Sequence, residues 1–137
     1  MMQARDVLVA GEARGPVVAL SEPLSFWGGV HEREGTVIDV HHPQHGVSIA
    51  GRVLVMPSGR GSSSSSSVLA EVIRAGVGPA AIVLATADPI LVIGALVAEA
   101  LYGTVVPIVV LSPDDYARCA SARELEVLPS GRVNLAQ

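Results

Sequence analysis

The chain has 137 residues, a formal net charge of −4 and hydrophobic side chains at half of its positions. All nine basic residues are scattered arginines, whereas a nucleic-acid-binding surface needs a positive stripe that neutralises phosphates. The absence of lysine also excludes Schiff-base chemistry and a Walker-type phosphate loop. Because only four residues are aromatic, the core is expected to consist of Val, Ile, Leu and Ala side chains.

The single cysteine and the hydropathy of the chain predict the cellular compartment of the protein. Cys119 is the only cysteine, which suits a reducing cytoplasm and cannot hold an iron–sulfur cluster alone. The stretch Met1–Gly11 contains Arg5 and Asp6 and no long apolar segment, so it does not read as a secretion signal. The most apolar run, Pro89–Ala98, is shorter than the roughly 18 residues that span a bilayer. The sequence therefore predicts a cytoplasmic protein without a membrane anchor.

The first third of the chain predicts short strands. Asp6–Ala10 and Pro16–Leu20 are apolar runs on either side of a glycine-rich turn, Gly11 to Gly15. Thr36–Val40 is a third strand candidate, and the polar loop His41–Gly46 follows it.

Strands and helices alternate in the rest of the chain. In order, the sequence predicts a strand at Arg52–Met56, a helix through Val68–Ala75, a strand at Ala81–Ala85, a helix from Pro89 to about Tyr102, a strand at Val105–Leu111, a short helix from Ser112 to about Ala120, and a hairpin of Glu124–Leu128 with Arg132–Leu135. Asp88 is the expected N-cap of the second helix and Gly103 its end. This order predicts a mixed α/β fold, one compact domain over residues 1–137, rather than a pure doubly wound sheet.

The most informative stretch is the turn Pro57-Ser58-Gly59-Arg60-Gly61-Ser62-Ser63, which joins a buried strand to a helix. Its glycines permit positive φ angles and close approach of a ligand. The first N–H groups of the helix have no internal partner and carry partial positive charge, so they can hold a carboxylate or phosphate. Six consecutive serines also occur in flexible linkers, but a linker here would separate a strand and a helix that should pack. Helix capping remains a second, structural role for some of them.

Several other residues have open interpretations. His41, His42 and His45 lie close together without the spacing of a metal site, which favours a loop that shapes a cleft or contacts a partner. Trp27, beside two glycines, stacks on a substrate, lies in an interface or belongs to the core. Arg60 is either a fork for a carboxylate or an exposed turn residue.

Four segments together resemble the aconitase X swivel-domain family over about residues 5–128. They are Glu22–Val30, His42–Gly46, Pro57–Ser63, and Asp88–Ile90 with Gly94-Ala95. The resemblance implies a swivelling β/β/α domain and a large partner subunit, with the active site in the cleft between the two chains. It also implies an iron–sulfur cluster or iron on the large subunit and no cofactor bound by this chain alone.

The resemblance further implies a hydro-lyase that dehydrates a small hydroxy acid. The family's substrates are cis-3-hydroxy-L-proline and 5-phosphomevalonate, and the long serine run is more similar to the branch that acts on hydroxyproline. Ser62 corresponds to the proton acceptor. The residues expected around the substrate are Ser58, Gly59, Arg60, Gly61 and Ser63. One departure is His31, which stands where the family usually has Asp, so the role of that position is open, as are those of His42 and His45.

The pKa of an ordinary serine hydroxyl is too high for Ser62 to act as a base without help from other groups. Lowering the pKa of a serine hydroxyl by about eight units costs about 11 kcal/mol, and a helix N-terminus supplies at most about 2 kcal/mol. Ser62 therefore needs further positive groups from a second subunit, or proton transfer in concert with departure of the hydroxyl group. A non-catalytic anion-binding or regulatory module remains the alternative from another functional class. A phosphohistidine carrier domain has no support, because no histidine follows the glycine turn.

Overall fold

The computed structural model describes residues 2–136. Its elements are β1 (Met2–Gln3), β2 (Asp6–Val9), β3 (Ala13–Ala19), α1 (Phe26–Gly29), β4 (Val53–Met56), α2 (Ser64–Arg74), β5 (Ala81–Leu84), α3 (Pro89–Tyr102), β6 (Ile108–Val110), α4 (Pro113–Ala120), β7 (Glu124–Val127) and β8 (Arg132–Ala136). The strands form one mixed sheet in the order β1-β8-β7-β3-β4-β5-β6-β2. The predicted mixed α/β fold is confirmed.

The centre of the sheet is parallel and buried on both faces. Strands β3, β4, β5 and β6 run parallel, with Leu54 opposite Ile82 and Ile82 opposite Ile108. Every residue of β4 and β5 is buried, as expected for parallel strands covered on both sides. Helices α2 and α3 cover one face of the sheet. Helix α4 packs against β3, β4 and β5 on the other face. The β7–β8 hairpin extends the sheet beyond β3.

The two ends of the sheet come close together. Strands β1 and β2 occupy opposite ends of the strand order, yet only Ala4 and Arg5 separate them in the chain. Ala4 N–H donates to the Gly131 carbonyl beside β8, and Arg5 N–H donates to the Val110 carbonyl of β6. Because two residues cannot bridge a flat sheet of eight strands, the sheet curls on itself.

Helix α3 follows its predicted bounds. The Asp88 side chain accepts a hydrogen bond from Ile90 N–H (2.9 Å), Pro89 occupies the first turn, and Gly103 ends the helix with φ +70°. Gly94 allows close packing on α2, because a Cβ there would lie 2.7 Å from the Ser66 carbonyl oxygen. Helices α2 and α3 therefore form one closely packed layer over the sheet.

Three predictions about local structure are wrong. Thr36–Val40 is not a strand, because Thr36 and Val37 make only isolated bridges, to Ser48 and Val30. The first glycine-rich turn is shorter than predicted, since β3 already begins at Ala13 through pairing with β7. The sixth strand begins at Ile108 rather than Val105.

Within residues 2–136, no helix is long and apolar enough to cross a membrane.

Candidate functional site

The predicted turn lies at the carboxyl edge of the parallel strands, where open α/β sheets bind ligands. The turn after β4 and the loop after β5 meet there. The N–H groups of Ala85 and Thr86 both donate to the Pro57 carbonyl, at 3.1 and 3.0 Å. These bonds hold the two loops together at the start of the serine-containing turn.

Gly59 lies between Leu24 and Asp88 at this edge. It forms a bridge with Leu24, and the next residue, Arg60, donates its N–H to the Leu24 carbonyl at 3.2 Å. A Cβ at Gly59 would collide with the Asp88 carboxylate of the neighbouring helix. A side chain at position 59 would therefore have to displace the Asp88 carboxylate.

Gly61 introduces the bend that leads into α2. Its φ of +103° lies in a region that L side chains rarely adopt, and a Cβ there would lie 2.5 Å from the Ser25 hydroxyl oxygen. The bend turns the chain outward, so that Ser62 and Ser63 are both exposed.

The six serines have different surroundings. Ser66 donates its hydroxyl to the Ser63 carbonyl at 2.7 Å, whereas Ser65 is buried with an exposed fraction of 2%. Ser67 is exposed and, among residues 2–136, its hydroxyl has no hydrogen-bond partner. The run is thus part of an ordered turn and helix, and the interpretation as a flexible linker is wrong.

The first turn of α2 is open. Its N-cap, Ser63, makes no side-chain capping bond, and the N–H groups of Ser62, Ser63 and Ser64 have no acceptor in the described part of the chain. The Ser62 hydroxyl likewise has no hydrogen-bond partner among these residues. Unpaired N–H groups and the helix dipole create positive potential beside a free hydroxyl. The arrangement can bind an anion next to an exchangeable proton.

Two further predicted residues border this turn. Arg60 is exposed, and its guanidinium takes part in no ion pair within residues 2–136, so it is free to bind a carboxylate. The Ser58 hydroxyl donates to the Gly59 carbonyl at 2.9 Å, which stiffens the turn. All six predicted site residues therefore lie in one continuous loop, and their binding roles stay predictions.

The sequence did not point to Ser25 and Ser65, which lie beside this loop. It also did not predict that Asp88 comes close to Gly59. Ser25 and Ser65 form hydrogen bonds with each other and with the backbone of Trp27. Ser65 precedes the buried Val68 and Leu69 by three and four positions, so helical spacing would have placed it on the buried face of α2. Asp88 was expected only as a helix cap, and its contact with Gly59 depends on the fold.

Two of the histidines, His31 and His42, have structural partners. The buried His42 accepts the Gln44 N–H at Nδ1 (3.0 Å), so its Nε2 carries the hydrogen and donates to the Glu22 carbonyl (3.2 Å). His31 accepts the N–H groups of Arg33 and Glu34 at Nδ1. An aspartate at that position could accept the same bonds, which explains why histidine is tolerated there. The sequence left both roles open.

Trp27 is exposed to 61% beside the site and is not part of the core. A cavity of about 260 Å³ adjoins its loop and is lined by Gly28, Val30, His31, Glu32, Arg33 and Ile38. A second cavity of about 340 Å³ lies by β7 and β8. Ser62 lines neither of them. Because Ser62 and Ser63 are both exposed, a second surface is needed to enclose a small substrate at the turn.

Cys119 lies away from the turn, in the core on the α4 side of the sheet. Burial raises the pKa of its thiol to about 12, so the sulfur is neutral at physiological pH. The residue is fully buried and serves as a small side chain of that core. No group of three or more His, Cys, Asp or Glu side chains in residues 2–136 is arranged to hold a metal ion.

Comparison with known proteins supports the resemblance. The family model described as the aconitase X swivel domain matches residues 2–135. Aconitase X of Thermococcus kodakaraensis superposes with a TM-score of 0.86 at 31% sequence identity, covering 99% of this chain and 98% of that one. The predicted swivel-domain fold is confirmed.

Two relatives differ in how much of their own length matches this chain. A cis-3-hydroxy-L-proline dehydratase of Pseudomonas aeruginosa is 48% identical over 130 residues, which are 93% of this chain and 22% of that protein. A phosphomevalonate dehydratase small subunit of Methanothrix thermoacetophila is 36% identical over 127 residues, 91% of this chain and 93% of that subunit. The chain spans about a fifth of the length of the hydroxyproline dehydratases that it matches.

Proposed function

Because the chain belongs to the aconitase X swivel-domain family, we propose that it is the small subunit of a hydro-lyase that dehydrates a hydroxy acid. The open start of α2 carries this proposal: Ser62 presents an unpartnered hydroxyl beside N–H groups that have no acceptor in residues 2–136. We assign Ser62 as the proton acceptor.

The elimination begins at Ser62. Ser62 Oγ takes the proton from the carbon next to the substrate carboxylate, and the electron pair of that C–H bond forms a carbon–carbon double bond. The C–O bond on the adjacent carbon breaks, and the departing hydroxide takes up the proton that Ser62 has received, so that it leaves as water and Ser62 returns to its ionised form. With cis-3-hydroxy-L-proline the product is an enamine, which rearranges to a cyclic imine acid.

The remaining groups of the turn prepare this step. The N–H groups of the first α2 turn and the guanidinium of Arg60 bind the substrate carboxylate and place the adjacent C–H bond near Ser62. Their positive potential also stabilises an ionised hydroxyl. A helix N-terminus supplies at most about 2 kcal/mol, so these groups alone cannot account for the reaction.

The partner in this proposal is the large aconitase X subunit. It closes over the open turn, excludes water and supplies further charge. The described residues do not fit an iron–sulfur cluster, because the single thiol is neutral and buried and no triad of potential ligands surrounds the turn. We therefore place the iron or cluster on the large subunit, and we place the complex in the cytoplasm.

Cis-3-hydroxy-L-proline is the first candidate substrate. The Pseudomonas dehydratase of that name is 48% identical across nearly the whole chain. 5-Phosphomevalonate is the second candidate, because a phosphomevalonate dehydratase small subunit of Methanothrix is 36% identical over 127 residues. A phosphate would also suit the open helix N-terminus.

Co-expression with the large subunit, followed by dehydration assays with both acids, tests this function. We expect turnover only from the assembled complex, with cis-3-hydroxy-L-proline the better substrate. Turnover by this chain alone would contradict the proposal. A complex that forms but dehydrates neither acid, while the chain binds a carboxylate or phosphate, would favour the non-catalytic anion-binding module.

A further inference from the structure

A closed ring of three hydrogen bonds lies directly beneath the Gly61 bend. The Ser25 hydroxyl donates to the Trp27 carbonyl at 2.9 Å, and the Trp27 N–H donates to the Ser65 hydroxyl oxygen at 3.2 Å. The two serine oxygens lie 3.3 Å apart. We call Ser25, Trp27 and Ser65 the hydroxyl ring.

The directions of these bonds follow from counting hydrogens. A serine hydroxyl has one hydrogen, and that of Ser25 is used on the Trp27 carbonyl. Ser25 must therefore accept in its contact with Ser65, which donates its own hydrogen there. Each hydroxyl of the ring thus donates once and accepts once. The two bonds of Ser65 are partly buried, and hydrogen bonds in such chains strengthen one another where contact with water is reduced.

The ring joins two segments that are distant in sequence. Ser65 is on the buried face of α2, whereas Ser25 is the N-cap of α1 and Trp27 lies in α1. Gly61 packs on the ring, since a Cβ there would lie 2.5 Å from the Ser25 oxygen and 3.5 Å from that of Ser65. Ser62 follows this contact directly. Any movement of the ring is therefore transmitted to the bend that presents Ser62.

We propose that Ser65 is a positioning residue for the site: through the hydroxyl ring it fixes the Gly61 bend, and with it the orientation of Ser62 and of the exposed Trp27. The catalytic part of this inference rests on the proposed function, whereas the ring's control of the loop does not. Ser65 does not touch the substrate in this account. Its effect is on where Ser62 lies.

The first test uses the full chain by itself. Amide hydrogen exchange, followed by NMR, is measured at Trp27 and at Ser62 in the wild type, Ser65→Ala, Ser25→Ala and Ser67→Ala. Ser67 is the matched control, because it lies in the same helix and is exposed. We expect exchange at Trp27 to be about tenfold faster, and the Ser62 resonance to shift, in both ring variants only.

A double variant tests the ring as a unit. If the hydroxyls act together, Ser25→Ala/Ser65→Ala should have no larger effect on Trp27 exchange than either single change, because the first substitution already opens the ring. Effects that simply add would contradict a closed ring. Because Ser25 lies outside α2, its substitution also separates loss of the ring from damage to that helix.

The second test uses the assembled enzyme. In both ring variants kcat should fall about ten- to a hundredfold with KM changed less than about threefold, because a misplaced base slows the chemical step. Unchanged exchange at Trp27, or an equal effect of Ser67→Ala, would overturn the inference, as would faster exchange with unchanged kcat. If the wild-type complex turns over neither acid, the proposed function fails, and the Ser62 resonance still decides whether the ring positions that residue.

Discussion

Helices α2 and α3 begin at the same edge of the sheet, and their first turns are completed in opposite ways. Asp88 caps α3 by accepting the Ile90 N–H, and Pro89 has no N–H to satisfy. Ser63 makes no such bond at the start of α2. The helix with its own carboxylate has no need of an external anion, whereas the uncapped helix can take the carboxylate of a substrate. This contrast supports the proposal that α2, and not α3, provides the reacting end of this edge.

The largest effect is expected for Ser62→Ala. If the open end of α2 holds the reacting group, loss of this hydroxyl should lower kcat of the assembled complex by about a thousandfold, within the range that general bases contribute. Association of the two subunits should be unaffected. The measurement is steady-state turnover, with Ser67→Ala as the control on the same helix. Near-normal turnover of Ser62→Ala would contradict the proposal that the open start of α2, unlike the capped start of α3, holds the reacting group.

A large effect is also expected for Gly61→Ala. The substitution places a methyl group against the Ser25 hydroxyl at a φ of +103°, so the bend must move. We expect turnover to fall about a hundredfold, and strain of this kind costs about 1–3 kcal/mol in the free energy of unfolding. Turnover and urea unfolding measure the two effects.

Gly76→Ala is the matched control for that bend. Gly76 also has a positive φ, +78°, but nothing lies within 4 Å of the position that its Cβ would occupy. It should cost about 1–2 kcal/mol in stability and leave turnover unchanged. Equal loss of turnover in both glycine variants would show that the effect comes from general destabilisation.

The smallest effect is expected for Asp88→Ala. Removing the cap of α3 should lower the free energy of unfolding by about 1 kcal/mol, measured by urea denaturation. Asp88→Asn keeps an acceptor for the Ile90 N–H and should restore most of that stability. Because we place Asp88 outside the chemistry, turnover should change less than about tenfold. A loss as large as that of Ser62→Ala would mean that the capped helix also takes part in the reaction.

Local signals explain what could be predicted from sequence. The bounds of α3 can be predicted from the residues at its ends, Asp88-Pro89 at its start and Gly103 at its end. The turn was found for the same reason, since its glycines and serines are contiguous. By contrast, Thr36–Val40 has the composition of a strand, but only Thr36 and Val37 pair with other residues, each through one isolated bridge.

The missed features depend on contacts between distant residues. Strand β1 is only two residues long and exists because Met2 pairs with Val133 at the other end of the chain. Ser25 and Ser65 are separated by 40 positions, and no local pattern predicts that their hydroxyls meet. The need for glycine at position 59 likewise comes from Asp88, which the fold brings alongside. The sequence thus predicted the candidate loop but not the groups that support it.

The most direct test is an experimental structure of the assembled two-subunit complex with bound substrate or a slowly reacting analogue. Our account predicts that Ser62 Oγ lies within about 3.5 Å of the carbon that loses its proton, with the ligand's carboxylate at the first turn of α2. Asp88 should still accept the Ile90 N–H. A ligand bound more than roughly 6 Å from Ser62, beyond the reach of direct proton transfer, would contradict the account.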